Sequence, residues 1–403
     1  MQAVADVGKR RLGITGNPNY DSPPFTAFST VTTETPLEEL NLDWRERDLP
    51  ERIRTKHVHR LHPYLGKFVP QLVEIFLRKY QPRSVCDPFC GSGTTLVEAN
   101  ALGIDAVGCD ISVFNCLLSR VKTAEYDLPL LEREIKDILT RVQPELRPTL
   151  FRNGDEIPKI DNEYLRTWFA PEALSQLLFY RSLIPEYHYQ DVLKIILSRS
   201  ARSTRLTTHF DLDFPKKPQT EPYYCHKHRR TCQPTSDALK FLTRYSLDTL
   251  RRISEFSNLR TDAGVDVVWA DARHAEFPQV DAVITSPPYV GLIDYHDQHR
   301  YAYELLGLPS SEDKEIGPAS NGNGRTAVQS YVDAMVEVFS NVRKSVRRGG
   351  PMVVVVHDRR DLYEEIGARL GMETEYRFER HVNRRTGRRA SDFFEDVIVW
   401  RES

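Results

Sequence analysis

The apolar positions of this chain fall into short dense runs, separated by longer stretches with helical spacing. Residues 84–87 (SVCD), 106–110 (AVGCD), 265–270 (VDVVWA), 281–285 (DAVIT) and 351–357 (PMVVVVH) are runs rich in Val, Ile and Cys. Each is short and bounded by Gly, Pro or charged residues, which predicts a buried strand rather than a helix. The run at 351–357 is apolar almost throughout, the pattern of a strand covered on both faces. Residues 376–381 and 396–401 predict a terminal hairpin. Elsewhere the period changes. After Pro70, the positions Leu72, Val73, Ile75, Phe76 and Leu77 make a broad apolar helical face, with the proline in its first turn. Residues 94–102, 173–184, 191–200 and 236–256 also read as helices, whereas 206–234, with its prolines and mixed charge, reads as irregular. Strands alternating with helices predict an α/β fold with helices on both faces of the sheet. Such a sheet collects its ligands at the carboxyl ends of the strands.

With 403 residues, 40% of them hydrophobic, the chain can bury a large core. The expected division is a flexible arm at 1–45, rich in Pro, Thr, Ser and Gly, and a first catalytic segment at 46–150. A mainly helical and irregular insert at 151–261, a possible target-recognition region, and a second catalytic segment at 262–403 follow. Leu37, Leu40, Leu42, Trp44 and Leu49 suggest a docking segment at the end of the arm. No apolar run approaches the ~18 residues of a membrane span, and no secretory signal is visible. Six scattered cysteines suit a reduced, cytoplasmic protein.

Net charge is −2, but it is unevenly spread. Residues 199–260 carry 13 Lys and Arg against 6 acids, and 377–389 carry six Arg against one Glu. Local basic patches on a neutral chain are the expected footprint of phosphate contacts. Lys227, Arg229, Arg230, Arg384, Arg385, Arg388 and Arg389 are the candidates.

Two stretches carry chemistry. In Asp87-Pro88-Phe89-Cys90-Gly91-Ser92-Gly93-Thr94 a strand runs into a glycine turn and then a helix, whose first N–H groups point at the turn. The spacing fits neither a nicotinamide fingerprint nor a P-loop. Asp110-Ile111 ends the next strand about 20 residues on, where an acid suits a ribose diol. The second stretch is Ser286-Pro287-Pro288-Tyr289, at the end of the 281–285 run. Two prolines stiffen the backbone and stop the strand. The carbonyl of Ser286 or Pro287 is then available beside the Tyr289 ring, a setting for a planar base with an exocyclic amino group.

Together these stretches resemble the amino-group DNA methyltransferases, with matches spread from about residue 57 to the C-terminus outside the insert. The resemblance implies a Rossmann-like methyltransferase sheet and S-adenosylmethionine as cofactor. It implies that Asp87, Pro88, Phe89, Gly91, Gly93, Thr94, Asp110 and Ile111 hold that cofactor. Asp271-Ala272 would meet its adenine, and a segment containing His62 and Lys67 would close over its methionine end. Ser286, Pro287, Pro288 and Tyr289 would hold the target base, and the Ser form resembles the N4-cytosine branch. Double-stranded DNA is the implied partner, with a cognate restriction endonuclease by family habit. N6-adenine methylation, guanosine-N2 methylation of tRNA and an inactive nucleic-acid-binding subunit remain as alternatives. Methylation at cytosine C5 is argued against: it needs a thiol following a proline, and the residues before the six cysteines are Val85, Phe89, Gly108, Asn115, Tyr224 and Thr231. The cluster Cys225, His228 and Cys232 lacks an apparent second ligand pair, so the segment reads as a basic loop with buried thiols rather than a metal centre, with a structural zinc as the alternative.

Overall fold

The computed structural model describes residues 25–44, 48–66, 69–143, 161–209, 211–212, 215–382 and 393–402. The dense apolar runs are strands: β1 (Ser84–Asp87) and β2 (Asp105–Asp110) come first. A small hairpin, β3 (Tyr223–Cys225) and β4 (Arg230–Cys232), lies inside the stretch expected to be irregular. Then come β5 (Val265–Trp269), β6 (Ala282–Thr285) and β7 (Met352–Val356), and the terminal hairpin β8 (Met372–His381) and β9 (Phe394–Glu402). The main sheet has the order β5-β2-β1-β6-β7-β9-β8. Its pairings are parallel except those of β9, which runs antiparallel to both neighbours. The fold is therefore the expected α/β doubly wound sheet.

Alternation along the strands explains why the sheet is covered on both sides. Val85, Val353 and Val355 enter one core layer with Leu72, Ile75 and Phe76 of the helix Pro70–Tyr80. Cys86, Val354 and Val356 enter the opposite layer with Met335 and Phe339 of the helix Arg325–Arg343. Successive side chains on a strand point to opposite faces, so each strand feeds both layers. Val31, Leu37, Leu40, Leu42, Trp44 and Leu49 are buried in the first layer. The described part of the expected arm is thus packed onto the sheet.

The insert helices are Pro171–Leu183, Gln190–Thr204 and Leu239–Ser257, close to the ranges read from periodicity. They share a third core with Val58, Leu61, Phe114 and Leu117, so insert and cofactor half are built on common side chains.

From β1 the chain runs outward to β2 and β5, then returns to β6 on the other side of β1. This reversal leaves a crevice above the ends of β1 and β6, the place where open α/β sheets bind ligands. Two hydrogen bonds tie its walls together. Thr285 Oγ1 donates to Asp87 Oδ1 at 2.6 Å, and Thr95 Oγ1 donates to the carbonyl of Ile284 at 3.1 Å.

Candidate active site

The crevice is a cleft walled by four loops. Pro88, Phe89, Gly91 and Thr94 line it from the β1 turn, and Asp110 and Ile111 from the end of β2. Asp271 and Ala272 line it after β5, and Ser286 and Pro288 after β6. Four loops far apart in sequence therefore meet in one cavity.

Asp110 is the best-organised group in it. Its Oδ2 accepts from the Gly91 amide at 2.8 Å. Its Oδ1 accepts from the Ser112 amide at 2.8 Å and from Asn115 Nδ2 at 3.1 Å. Burial pushes its carboxyl up to about 6, while the donors from Ser112, Asn115 and Gly91 pull the other way. Asp87 is fully buried and is likewise pushed up to about 6 by burial, against hydrogen bonds from Thr285 and the Phe89 amide. Gly91 has φ +49°, and a Cβ there would come 3.0 Å from the Tyr64 hydroxyl. That position needs glycine for conformation and for space. Gly93 serves differently: its φ is +76°, and a Cβ would meet Ser119 Oγ at 2.8 Å, so it seats the helix Thr94–Ala101 against its neighbour rather than facing the cleft.

Other expected site residues stand back from the cavity wall. His62 is buried behind it, its Nε2 3.1 Å from Ser198 Oγ and its ring stacked at 6.3 Å on Tyr301. Asp87 acts through Thr285 and the turn. Asp271 faces the cleft, but Arg273 chelates its carboxylate through Nε at 3.0 Å and Nη2 at 2.6 Å. Pro287 and Tyr289 are not among the lining residues. The Tyr289 ring is 9% exposed, and its hydroxyl donates to Glu395 Oε1 at 3.0 Å. Glu395 also accepts from Arg380 at 3.0 Å. The Pro288 carbonyl accepts from the Tyr331 hydroxyl at 2.8 Å, which pins the double-proline turn. Lys67 and the Arg384, Arg385, Arg388 and Arg389 turn lie outside the described residues.

The structure adds a wall that the periodicity did not single out. Tyr295, His296, Lys314, Glu315 and Ile316 close the cleft from above. Glu315 accepts from the His296 amide at 2.8 Å and also pairs with the His296 ring. Tyr64 stacks on Tyr295 at 6.0 Å and on His299 at 5.5 Å. The signals were faint: a tyrosine two residues before a glycine at 64–66, and Glu312, Asp313 and Glu315 at the start of a Gly/Ser/Asn-rich loop.

Part of the basic charge is used internally. Arg199 donates to Asp248 at 2.8 Å and lies 4.2 Å over the Tyr245 ring. Arg251 and Arg252 also reach Asp248. Arg377 and Arg380 pair with Asp396 and Glu395. Lys227, Arg229 and Arg230 are exposed on the β3–β4 hairpin.

A cationic nucleoside cofactor fits these groups. Asp110 presents a preorganised acceptor for a diol, whereas the Asp271 and Glu315 carboxylates on the same wall are already engaged by Arg273 and His296. Ser92 Oγ, on the cleft wall, is buried and finds no hydrogen-bond partner among the described residues, which leaves a polar atom for a ligand.

Residues 55–119, which include the glycine turn and Asp110, match the family described as DNA methylase. The type II methyltransferase M.MjaII of Methanocaldococcus jannaschii is 34% identical over 430 aligned residues, covering 87% of this chain and 81% of the relative. The type II methyltransferase M.MvaI of Kocuria varians is 24% identical, over 70% of this chain and 65% of its own length. A tRNA (guanine(10)-N2)-dimethyltransferase of Methanocaldococcus jannaschii is 31% identical, over 24% of this chain and 27% of its own length. Similarity to the first of these extends through insert and sheet alike, and the chain belongs to the S-adenosylmethionine-dependent, amino-group DNA methyltransferases, in the company of the type II enzymes.

Proposed function

We propose that the chain methylates the N4 amino group of cytosine in double-stranded DNA at a specific sequence, in a cell that carries a matching restriction endonuclease. The observation that carries this reading is the position of Ser286 and Pro288 on the same cleft as Asp110. Thr285, directly before Ser286, is hydrogen-bonded to Asp87 of the cofactor turn. The serine form of the Pro-Pro-Tyr stretch favours cytosine over adenine.

S-adenosylmethionine supplies an electrophilic methyl group on a sulfonium when bound. Asp110, with its carboxylate already oriented, would hold the ribose hydroxyls, and the Gly91 turn on the cleft wall would let the ligand approach its backbone. The target amino group is conjugated with its ring and is a poor nucleophile. Hydrogen bonds from it to Ser286 and to the Pro287 carbonyl draw its lone pair out of conjugation and aim it at the methyl. Attack by that nitrogen would take the methyl from the sulfonium, leaving the S–C electron pair on sulfur, and the nitrogen would then give up a proton to solvent. Positioning and electrostatics account for most of the gain. The base must leave the duplex to enter the cleft, and Tyr289 offers the ring against which it stacks once the tyrosine is uncovered.

Single-turnover transfer of labelled methyl to duplex DNA, with digestion to nucleosides, tests this. N4-methylcytosine is the expected product. N6-methyladenine alone would overturn the cytosine assignment, and methylation of tRNA but not duplex DNA would overturn the DNA assignment.

A further inference from the structure

The β3–β4 hairpin lies away from the cleft and shares no residue with its wall. Its strands have three residues each, too few to hold a hairpin by backbone bonding alone. Its register pairs Cys225 with Arg230 and Tyr223 with Cys232. This sets the two cysteines diagonally on one face. Both are buried, at 4% and 8% exposure, in a hairpin whose Tyr224 is 58% exposed. Both are free thiols.

Two imidazoles join them. His228 Nδ1 lies 3.7 Å from Cys225 Sγ and 3.5 Å from Cys232 Sγ. His209 comes from outside the hairpin and places its Nδ1 3.5 Å from Cys225 Sγ. All four ligand atoms lie within 4.8 Å of one another. A tetrahedral zinc with bonds of ~2.3 Å to sulfur and ~2.0 Å to nitrogen has S–N edges of roughly 3.6 Å. The observed spacings are those edges. Thiol hydrogen bonds explain the group less well. A neutral ring nitrogen offers one lone pair, yet two thiols converge on His228 Nδ1. Tyr223 Oη also lies 2.7 Å from His209 Nδ1, and accepts from the His209 amide at 3.0 Å. Metal binding exchanges the first of these contacts for a bond to the ion and keeps the second. Arg229, in the loop between the cysteines, holds φ +51°, a strained conformation for a non-glycine residue that a clamped turn can sustain.

We infer that His209, Cys225, His228 and Cys232 form a structural zinc site of the Cys₂His₂ type. It has four protein ligands and no open position, so its role is to fasten the hairpin to the loop at His209. The ion then fixes the exposed Lys227, Arg229 and Arg230 on a rigid tip. His209 lies 16 residues before Cys225, beyond the range in which the spacing of the cluster is informative.

The test is metal analysis of the full-length protein purified under reducing conditions without chelator. About one zinc per chain is expected. Replacement by cobalt should give a thiolate-to-cobalt charge-transfer band. Cys232→Ser and His209→Ala should each lower zinc retention against a competing chromogenic chelator, with S-adenosylmethionine affinity unchanged. Wild-type protein that carries no zinc, takes up none when zinc is added, and shows both thiols free to a thiol reagent overturns the proposal. A Cys225–Cys232 disulfide in protein kept reducing throughout overturns it equally. Because metal content is read on the wild type, a variant that fails to fold does not rescue the idea.

Discussion

Asp87 and Asp110 are carboxylates that the fold holds at a cost. Burial raises each from 3.8 to about 6. A carboxyl whose pKa is higher folded than unfolded binds its proton more tightly in the native state. Its unfavourable contribution is therefore absent below about pH 4 and grows as pH rises toward 6. For the fully buried Asp87 the total is on the order of 3 kcal/mol. The buried His57, His62 and His299 are held neutral and work in the opposite direction over this range, so the Asp87 contribution is read as a difference: urea unfolding at several pH values should show Asp87→Asn gaining stability relative to wild type as pH rises from 4 to 6. Cofactor binding has the opposite dependence. If the ionised Asp110 holds the ribose, affinity should weaken several-fold as pH falls from 7.5 to 5.5. Asp110→Asn should bind about 1–3 kcal/mol more weakly with a shallower pH profile. Unchanged calorimetric affinity in that variant would remove Asp110 from the site. Tyr289 is a second case at this scale. Its ring is buried and its hydroxyl donates to Glu395, so Tyr289→Ala should cost about 3–5 kcal/mol of stability as well as activity. Tyr289→Phe keeps the ring, and Arg380 still satisfies Glu395, so it should retain most of the stability and of the methyl-transfer rate. Equal damage from both substitutions would assign the role to the hydroxyl rather than the ring.

Among the elements, β1 and β6 depend on each other most. The glycine turn after β1 and the double-proline turn after β6 are separated by nearly 200 residues, yet Thr285 and Thr95 bond across the gap. Thr285→Val keeps the shape and removes the donor to Asp87, which is already short of solvation. The expected result is a loss of about 1–3 kcal/mol in stability together with weaker cofactor binding. An effect on methyl transfer without either would show that the bond is not what couples the two turns. The loop at 314–316 is coupled in another way: Glu315 secures it to the His296 ring and amide, with the Gly291 amide donating to the Gly317 carbonyl and the Ser311 amide to His296 Nε2 on either side.

For the whole molecule, the question is which positive charges face DNA. Arg199, Arg251, Arg252, Arg377 and Arg380 are engaged with acids inside the protein. The exposed cations of the β3–β4 tip are better placed for phosphates. Replacing Lys227, Arg229 and Arg230 by Ala should reduce the slope of log affinity against log salt by up to about 3, roughly 0.9 per phosphate released. An unchanged slope would mean that the tip does not touch DNA.

What could be read along the chain was local. Dense runs bounded by Gly and Pro announced the sheet. Periodicity announced the helix after Pro70 and those of the insert to within a few residues, because burial of a helical stripe or a two-sided strand leaves its period in the sequence, but Val113–Thr123, Leu128–Arg141 and Arg325–Arg343 were not read from it. Asp110 and the Ser286-Pro-Pro turn stood out because tight turns and strand ends restrict which residues fit. Tertiary structure decided the rest. It set which aromatic rings face the cleft and which are buried behind it. It placed Arg199, Arg251, Arg252, Arg377 and Arg380 in ion pairs, and it brought His209 to two cysteines and a histidine. These outcomes depend on contacts between residues far apart in the chain, and a contact of that kind leaves no period at either end.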